Sequence, residues 1–271
     1  MGLNSNGFNP SFIRRYIESR PTGASVVVVE TDSGIGYLKG LGNASGPHAL
    51  ACELIGSMAA DWLGLPTLDF ALINVTSEDE LPLAQGGFLQ PGPAFISKKA
   101  EGFPWGGLSQ ALTKLVNSDD LTKLILLDTW TLNCDRFSVK AGQFRINRDN
   151  VFFVKTDTAK LRLVALDHTH SFTCGQDVSH RMNQITYVQD PRSFGAFPEF
   201  EEFWNPVVSS DALARLQTLT RQTASRFVRL VPAEWEVTEE ARTSWIDFLV
   251  QRANWVAENA AVFWPNVTEI L

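Results

Sequence analysis

Residues 26–40, VVVVETDSGIGYLKG, leave the chain little choice. Four consecutive valines lose side-chain freedom in a helix, yet β-branched residues pack well on a pleated surface. TDSG then supplies the Asp and Gly of a tight turn, and IGYLKG returns as the partner strand. After the GNASGP loop, PHALACELIGSMAADWLG spaces Leu50, Leu54, Ile55, Met58, Ala59, Trp62 and Leu63 along one helix face, stopped by Gly64. FALINV reads as a further strand, with TSEDELP as its turn. Ahead of the hairpin, SFIRRYIES fits either a first strand or a short helix.

The stretch from Phe88 to Trp105, rich in Gly and Pro, is the natural boundary, dividing residues 1–95 from 96–271. Beyond it, DDLTKLILLDTWTLN reads as a helix with an acidic start, and FRI, VFFVK and LRLVAL as short strands. The remainder is helical twice over: DALARLQTLTRQTASRFVRLV, then TEEARTSWIDFLVQRANWVAENAAVF. Strands first and helices last imply an α+β chain in two lobes, a small β-rich one with a single helix and a larger helical one.

Charge narrows the function. A net charge of −7 argues against a general binder of nucleic acid or anionic membranes, which needs a basic surface. The three cysteines, Cys52, Cys134 and Cys174, have no CxxC spacing and suit a reducing compartment. No apolar run approaches a membrane span, and MGLNSNGFNP lacks a signal-peptide core, so a cytoplasmic address is expected.

Four places carry chemistry. The small residues Thr22, Gly23, Ala24 and Ser25 precede the hairpin, and Lys39 ends its second strand. Backbone N–H groups that approach closely, plus a cation on a fixed strand, are what phosphates require. Glu53 lies near the apolar face of the next helix, where a carboxylate needs a cation, and Lys39 is the obvious one. A strand lysine paired to a helix glutamate orients phosphates in kinases. An edge-strand lysine and a solvated glutamate are the plainer alternatives. In LDTWTLNCDRF, Asp135 follows a helix with Arg136 to hold it, which suits a base for a hydroxyl, or else a simple helix-end ion pair. Asn150 precedes one strand and Asp167 ends another, VALDHTHSF, so both offer hard oxygen ligands suited to Mg²⁺. His168, His170, Cys174 and His180 match no common zinc spacing, and the histidines are expected to steady the Asp167 loop by hydrogen bonding. GGLSQA around Ser109 is only a near miss to a hydrolase elbow.

These segments resemble the HipA-like kinase family, in its shorter single-chain bacterial branch, with a more distant likeness to phosphoinositide kinases. The matching pieces are RPTGASVVVVETDSGIGYLKG, ALACELIGSMAADWLGLP, LLDTWTLNCDR, NVFFV, VALDHTHSF and VPAEWEV, followed by a helix containing FLVQR. The resemblance implies a bilobed kinase fold with ATP between the lobes. Lys39 would contact the phosphates, anchored by Glu53, under the loop from Thr22 through Gly23 and Ala24 to Ser25. Asp135 would be the catalytic base, with Asn150 and Asp167 holding Mg²⁺. The implied acceptor is a Ser or Thr hydroxyl of a protein, or else a small-molecule hydroxyl. HipA relatives act in toxin–antitoxin systems, so an antitoxin-like partner protein is implied too. Thr22 and Ser25, as hydroxyls within the candidate phosphate loop, suggest self-phosphorylation.

Two departures stand out. FSVKAGQFRINRD separates Asp135 from Asn150, where the family has only a few residues, so Asn147 is an alternative metal ligand. Phe137 stands where related kinases often have His. A pseudokinase or interaction module that binds nucleotide without turnover is therefore the second reading.

Overall fold

The computed structural model describes residues 7–22, 25–140 and 142–263, with Lys140 described by its backbone alone. SFIRRYIES is a strand, β1 (Ile13–Arg20), followed by β2 (Val26–Thr31) and β3 (Gly34–Lys39). Asp32 and Ser33 form the turn between β2 and β3, where Thr31 Oγ1 donates to the Gly34 carbonyl at 2.7 Å. α1 (Pro47–Leu63) starts on a proline and ends at Gly64, whose φ of +80° lets its N–H close on the carbonyls of Ala60 and Asp61. β4 (Phe70–Val75) and β5 (Gly92–Lys98) complete an antiparallel sheet of order β1-β2-β3-β5-β4.

β5 lies inside the stretch taken above as a boundary and runs across residue 95, so the sheet continues to Lys98. Its Pro93 is tolerated because β3 pairs with β5 only from Phe95 onward, leaving Pro93 opposite Asn74 of β4 alone. One sheet face buries Val27, Val29, Leu38, Ile73 and Ile96 with Phe8 in a cluster of their own. The opposite face offers Phe70 and Phe95 to a larger core shared with α1.

Next come β6 (Gly102–Pro104), the single turn α2 (Ser109–Leu112) and α3 (Asp120–Thr131). β7 (Phe137–Lys140) and β8 (Gln143–Ile146) make a separate hairpin. β9 (Phe152–Lys155) pairs with β10 (Leu161–Val164) and with β6 in a three-stranded antiparallel sheet. α4 (Ile185–Val188), α5 (Pro206–Gln217), α6 (Arg221–Arg229), α7 (Glu239–Glu258) and α8 (Ala260–Phe263) follow. The segment from Asp211 to Val231 is two helices rather than one. Asn205 Oδ1 caps α5 through the N–H groups of Val207 and Val208, and Thr220 Oγ1 accepts from Thr223 to start α6 afresh.

α1 belongs to the helical body as much as to the sheet. Its Leu50, Leu54 and Ile55 share one core with Leu124 and Trp130 of α3 and Trp245 and Phe248 of α7. Each such side chain, fully buried, contributes about 1.5–3 kcal/mol, so α1 is firmly seated. Trp235, from VPAEWEV, ties this body to the sheet by donating its indole N–H to the Pro93 carbonyl at 3.0 Å. Among the described residues no helix is long and apolar enough to cross a membrane.

Candidate active site

β3 is an interior strand between β2 and β5, which removes the edge-strand reading of Lys39. Pleat alternation sends Leu38 into the cluster on one face and Lys39 to the other, beside Phe95 and toward α1. Only 7% of Lys39 is exposed there. Its Nζ donates to Glu53 Oε2 at 2.9 Å and to Asp167 Oδ1 at 3.1 Å. Burial alone would favour a neutral lysine, but the charges of Asp167 and Glu53 outweigh it and raise its pKa. For Asp167, burial pushes the carboxyl up, while Lys39 and the Thr169 hydroxyl overcome it and bring the pKa down to about 2.

Glu53 also accepts the backbone N–H of His168 at Oε2, 2.9 Å away. One buried carboxylate therefore fixes both the strand lysine and the loop carrying Asp167, whose backbone is left-handed with φ of +60°. Gly56, on the same side of α1, lets that loop press against the helix. An added Cβ would lie 2.3 Å from His168 Cβ. His168 is buried and its pKa falls well below the ordinary value, through burial first and then the charges of Arg136 and Lys39. Among the described residues its ring nitrogens have no hydrogen-bond partner, nor does Nδ1 of His170. The expected ring hydrogen bonds are therefore absent at His168, which supports the loop through its backbone N–H and its packing. Among the described residues no group of three or more His, Cys, Asp or Glu is placed to hold a metal ion, so the zinc arrangement does not form.

The second half of the site grows from the end of α3. Leu132 turns left-handed with φ of +54°, Asn133 N–H bonds the Asp128 carbonyl at 2.9 Å, and Asn133 Oδ1 accepts from Asp135 N–H at 3.2 Å. Arg136 does not grip Asp135. With 1% exposure it pairs instead with Asp128 Oδ1, and it donates to the carbonyls of Asn150, at 2.9 Å, and Leu166. One guanidinium thus joins α3, the Asn150 segment and the residue before Asp167. The arginine on Asp135 Oδ1 is Arg145 of β8. The β7–β8 hairpin takes up the extra residues, and the turn Arg148–Asn150 brings Asn150 Nδ2 to 2.6 Å from Asp135 Oδ2. Asn147 instead meets the Arg136 carbonyl through its backbone N–H, at 2.8 Å.

Beneath these loops, Asp128 is fully buried, and burial raises its pKa to about 6 against the pull of Arg136 and Asn133. Its Oδ2 has no hydrogen-bond partner among the described residues and packs on Gly195, where a Cβ would come within 2.4 Å of it. Arg252, from FLVQR, is buried too, holding the Thr129 carbonyl of α3 at 2.7 Å and those of Tyr187, Val188 and Asp190 at 3.1 Å.

Of the small-residue loop, Gly23 and Ala24 lie outside the described residues. Thr22 Oγ1 accepts from Val26 N–H at 3.2 Å, and buried Ser25 accepts from Gln85. The metal-ligand candidates fit a hard cation. Lys39 and Thr169 both bond Asp167 at Oδ1, leaving Oδ2 on a side chain 30% exposed. Asn150 uses its amide nitrogen on Asp135, leaving its oxygen. Through these two oxygens Asn150 and Asp167 would hold a hard cation such as Mg²⁺.

Residues 27–267 match the model of a family described as HipA-like kinase. No curated protein matches the chain. Among solved structures, the chain is similar to the crystal structure of a Helicobacter pylori proinflammatory kinase, CtkA. Identity is 12% over 97% of this chain and 100% of that one, with a TM-score of 0.60, a likeness of fold. A Shewanella oneidensis MR-1 toxin–antitoxin complex of HipA, HipB and operator DNA matches at 13% identity, covering 100% of this chain and 68% of that one, with a TM-score of 0.37. Because the family match runs from the valine strand through Lys39, Glu53, Asp135 and Asp167 to α7, the chain belongs to the HipA-like kinase family.

Proposed function

We propose that the protein is an ATP- and Mg²⁺-dependent phosphotransferase that acts on Ser or Thr hydroxyls of a protein, with a small-molecule hydroxyl as the narrower option. The observation that carries this reading is Lys39, held at 2.9 Å by Glu53 and at 3.1 Å by Asp167. A buried ammonium clamped between a helix glutamate and a loop aspartate is set to meet phosphate oxygens without reorganising. In this reading the five-stranded sheet with α1 forms one lobe and the rest of the chain the other, with ATP between them.

Thr22 to Ser25 would cover the phosphates and Lys39 would bind their oxygens. Asn150 and Asp167 would hold Mg²⁺, which when bound offsets phosphate charge during transfer. Asp135 would accept the proton of the acceptor hydroxyl, oriented by Asn150. Arg136 touches no substrate in this scheme and keeps the Asn150 and Leu166 segments in register. A protective partner of the antitoxin kind is proposed from family membership.

A second reading, nucleotide binding without turnover, is favoured by one observation: both Asp135 oxygens are engaged, by Arg145 and Asn150. Incubation with labelled ATP and Mg²⁺ separates the two. The kinase reading expects transfer that falls about 10²–10⁴-fold in Asp135→Ala. Tight ATP binding with no transfer by the unaltered protein supports the second reading.

A further inference from the structure

Beside Asp135 lies a cavity of about 460 Å³, lined among others by Cys134, Phe144, Arg145, Thr173, Tyr187 and Arg192. Among the described residues its lining contains two arginines and no carboxylate, in a chain whose net charge is −7. Arg192 is paired with Asp190, outside the lining, yet keeps 42% of its side chain exposed. Arg145 is 53% exposed and its partner is Asp135 itself. It stands on the hairpin that separates Asp135 from Asn150.

The two bonds on Asp135 differ in strength of hold. Asn150 is fixed from behind, its carbonyl bound by buried Arg136 at 2.9 Å. Arg145 reaches in from solvent, its side chain 53% exposed against 11% for Asp135, so the guanidinium can swing away while the carboxylate stays in place. A carboxylate arriving in the cavity can take the guanidinium in a two-pronged hydrogen-bonded pair of its own. That exchange would free Asp135 Oδ1 for a hydroxyl.

We propose that Arg145 is a specificity-determining residue and that this cavity receives an acidic polypeptide segment, a Ser or Thr flanked by Asp or Glu. This rests on the kinase reading. Exposed Phe144 and Tyr187 on the cavity wall give such a segment apolar contacts that a small anion would not use. The acidic neighbour draws Arg145 away, and the hydroxyl hydrogen-bonds to Asp135 Oδ1. Its oxygen bonds the γ-phosphorus as the bond to the ADP oxygen breaks, and its proton passes to Asp135. A segment flanked by Lys or Arg leaves Arg145 in place and the base closed.

Two peptide sets test this, each with one Ser flanked by Glu or by Lys, on the unaltered protein, R145E and R192E. With ATP and Mg²⁺, kcat/KM should favour the Glu-flanked peptide at least tenfold, and R145E should reverse the order. R192E should reduce the preference without reversing it. Melting temperatures within a few degrees of the unaltered protein would confirm that the variants fold. In parallel, the same peptides with Ser→Ala are titrated by fluorescence anisotropy without nucleotide. Transfer to neither peptide, with Glu-selective binding that R145E reverses, would sink the kinase reading and keep the acid-selective cavity. Equal use and equal binding of both peptides would overturn the inference. So would R145E losses that fall equally on both, because Arg145 would then only position Asp135.

Discussion

The two carboxylates at the centre of the site are both ion-paired, but in different surroundings. Asp167 meets Lys39, which is 7% exposed and shares Glu53 within the core. Asp135 meets Arg145, whose side chain is 53% exposed at the edge of a cavity. The first pairing is assembled by packing: β3 alternation, the seat of α1 and the close approach at Gly56 leave those groups nowhere else to go. In the second the carboxylate is buried too, with Asp135 7% exposed, but its cation comes from a surface hairpin rather than from an interior strand. In the proposed kinase reading, the side of the site that would meet phosphates is thus preorganised, and the side that would meet the acceptor is adjustable.

The sharpest way to break this contrast is Glu53→Ala. It removes one of the two carboxylates on the buried Lys39 and the acceptor of the His168 N–H together, so unfolding in urea should show a loss of about 3–5 kcal/mol. A loss under 1 kcal/mol would mean that the clamp is no tighter than the rim.

Proton linkage gives the next largest effect. The Asp128 pKa is raised from 3.8 to about 6, so the folded state binds an extra proton between those values, and stability falls as pH rises through that window. Asp167 has the opposite sign. Its pKa is lowered from 3.8 to about 2, so its contribution is present above pH 4 and lost as pH falls through 2. Asp128→Asn does not titrate, and the stability advantage of the unaltered protein over it should shrink by up to about 3 kcal/mol between pH 4 and pH 7. A growing advantage would show that the Arg136 pair, rather than burial, governs Asp128.

Gly56→Ala sets two effects against each other. Alanine favours a helix by about 1 kcal/mol, while a Cβ 2.3 Å from His168 Cβ forces overpacking of about 1–3 kcal/mol. A net loss of stability is expected, together with weaker Mg²⁺-dependent nucleotide binding, because His168 adjoins Asp167. Arg145→Ala leaves the largely buried Asp135 on Asn150 alone and should cost about 1–2 kcal/mol. A loss as large as that of Glu53→Ala would erase the distinction between the two pairings.

The preorganised side was the more legible in sequence. VVVVE, the tight turn and the alternation of Leu38 with Lys39 are local signals, and Glu53 beside Leu54 on an amphipathic helix pointed to a buried partner. β5 was hidden because Gly92 and Pro93 read as chain breakers, although Pro93 sits where no β3 partner is needed. Arg136 follows Asp135 in the chain, so proximity suggested the wrong partner. Its real contacts with Asp128, Asn150 and Leu166 are made by folding. Arg145 lay inside an insertion with no periodicity to place it. The split of α5 from α6 is made by the Thr220 cap, which apolar spacing on both sides masked.

The central claim is that Asp167 and Lys39 form one half of a Mg²⁺–ATP site, and Asp167→Asn tests it most directly, by removing charge while keeping size. Thermal unfolding is followed with ATP alone and with ATP plus Mg²⁺, at about 100 times the dissociation constant, where a bound ligand adds about 2.7 kcal/mol. The unaltered protein should gain further stability when Mg²⁺ joins ATP, and the variant should keep the gain from ATP alone, lose the Mg²⁺ increment and transfer no phosphate. A variant that retains the whole Mg²⁺-dependent gain and full transfer would contradict the account.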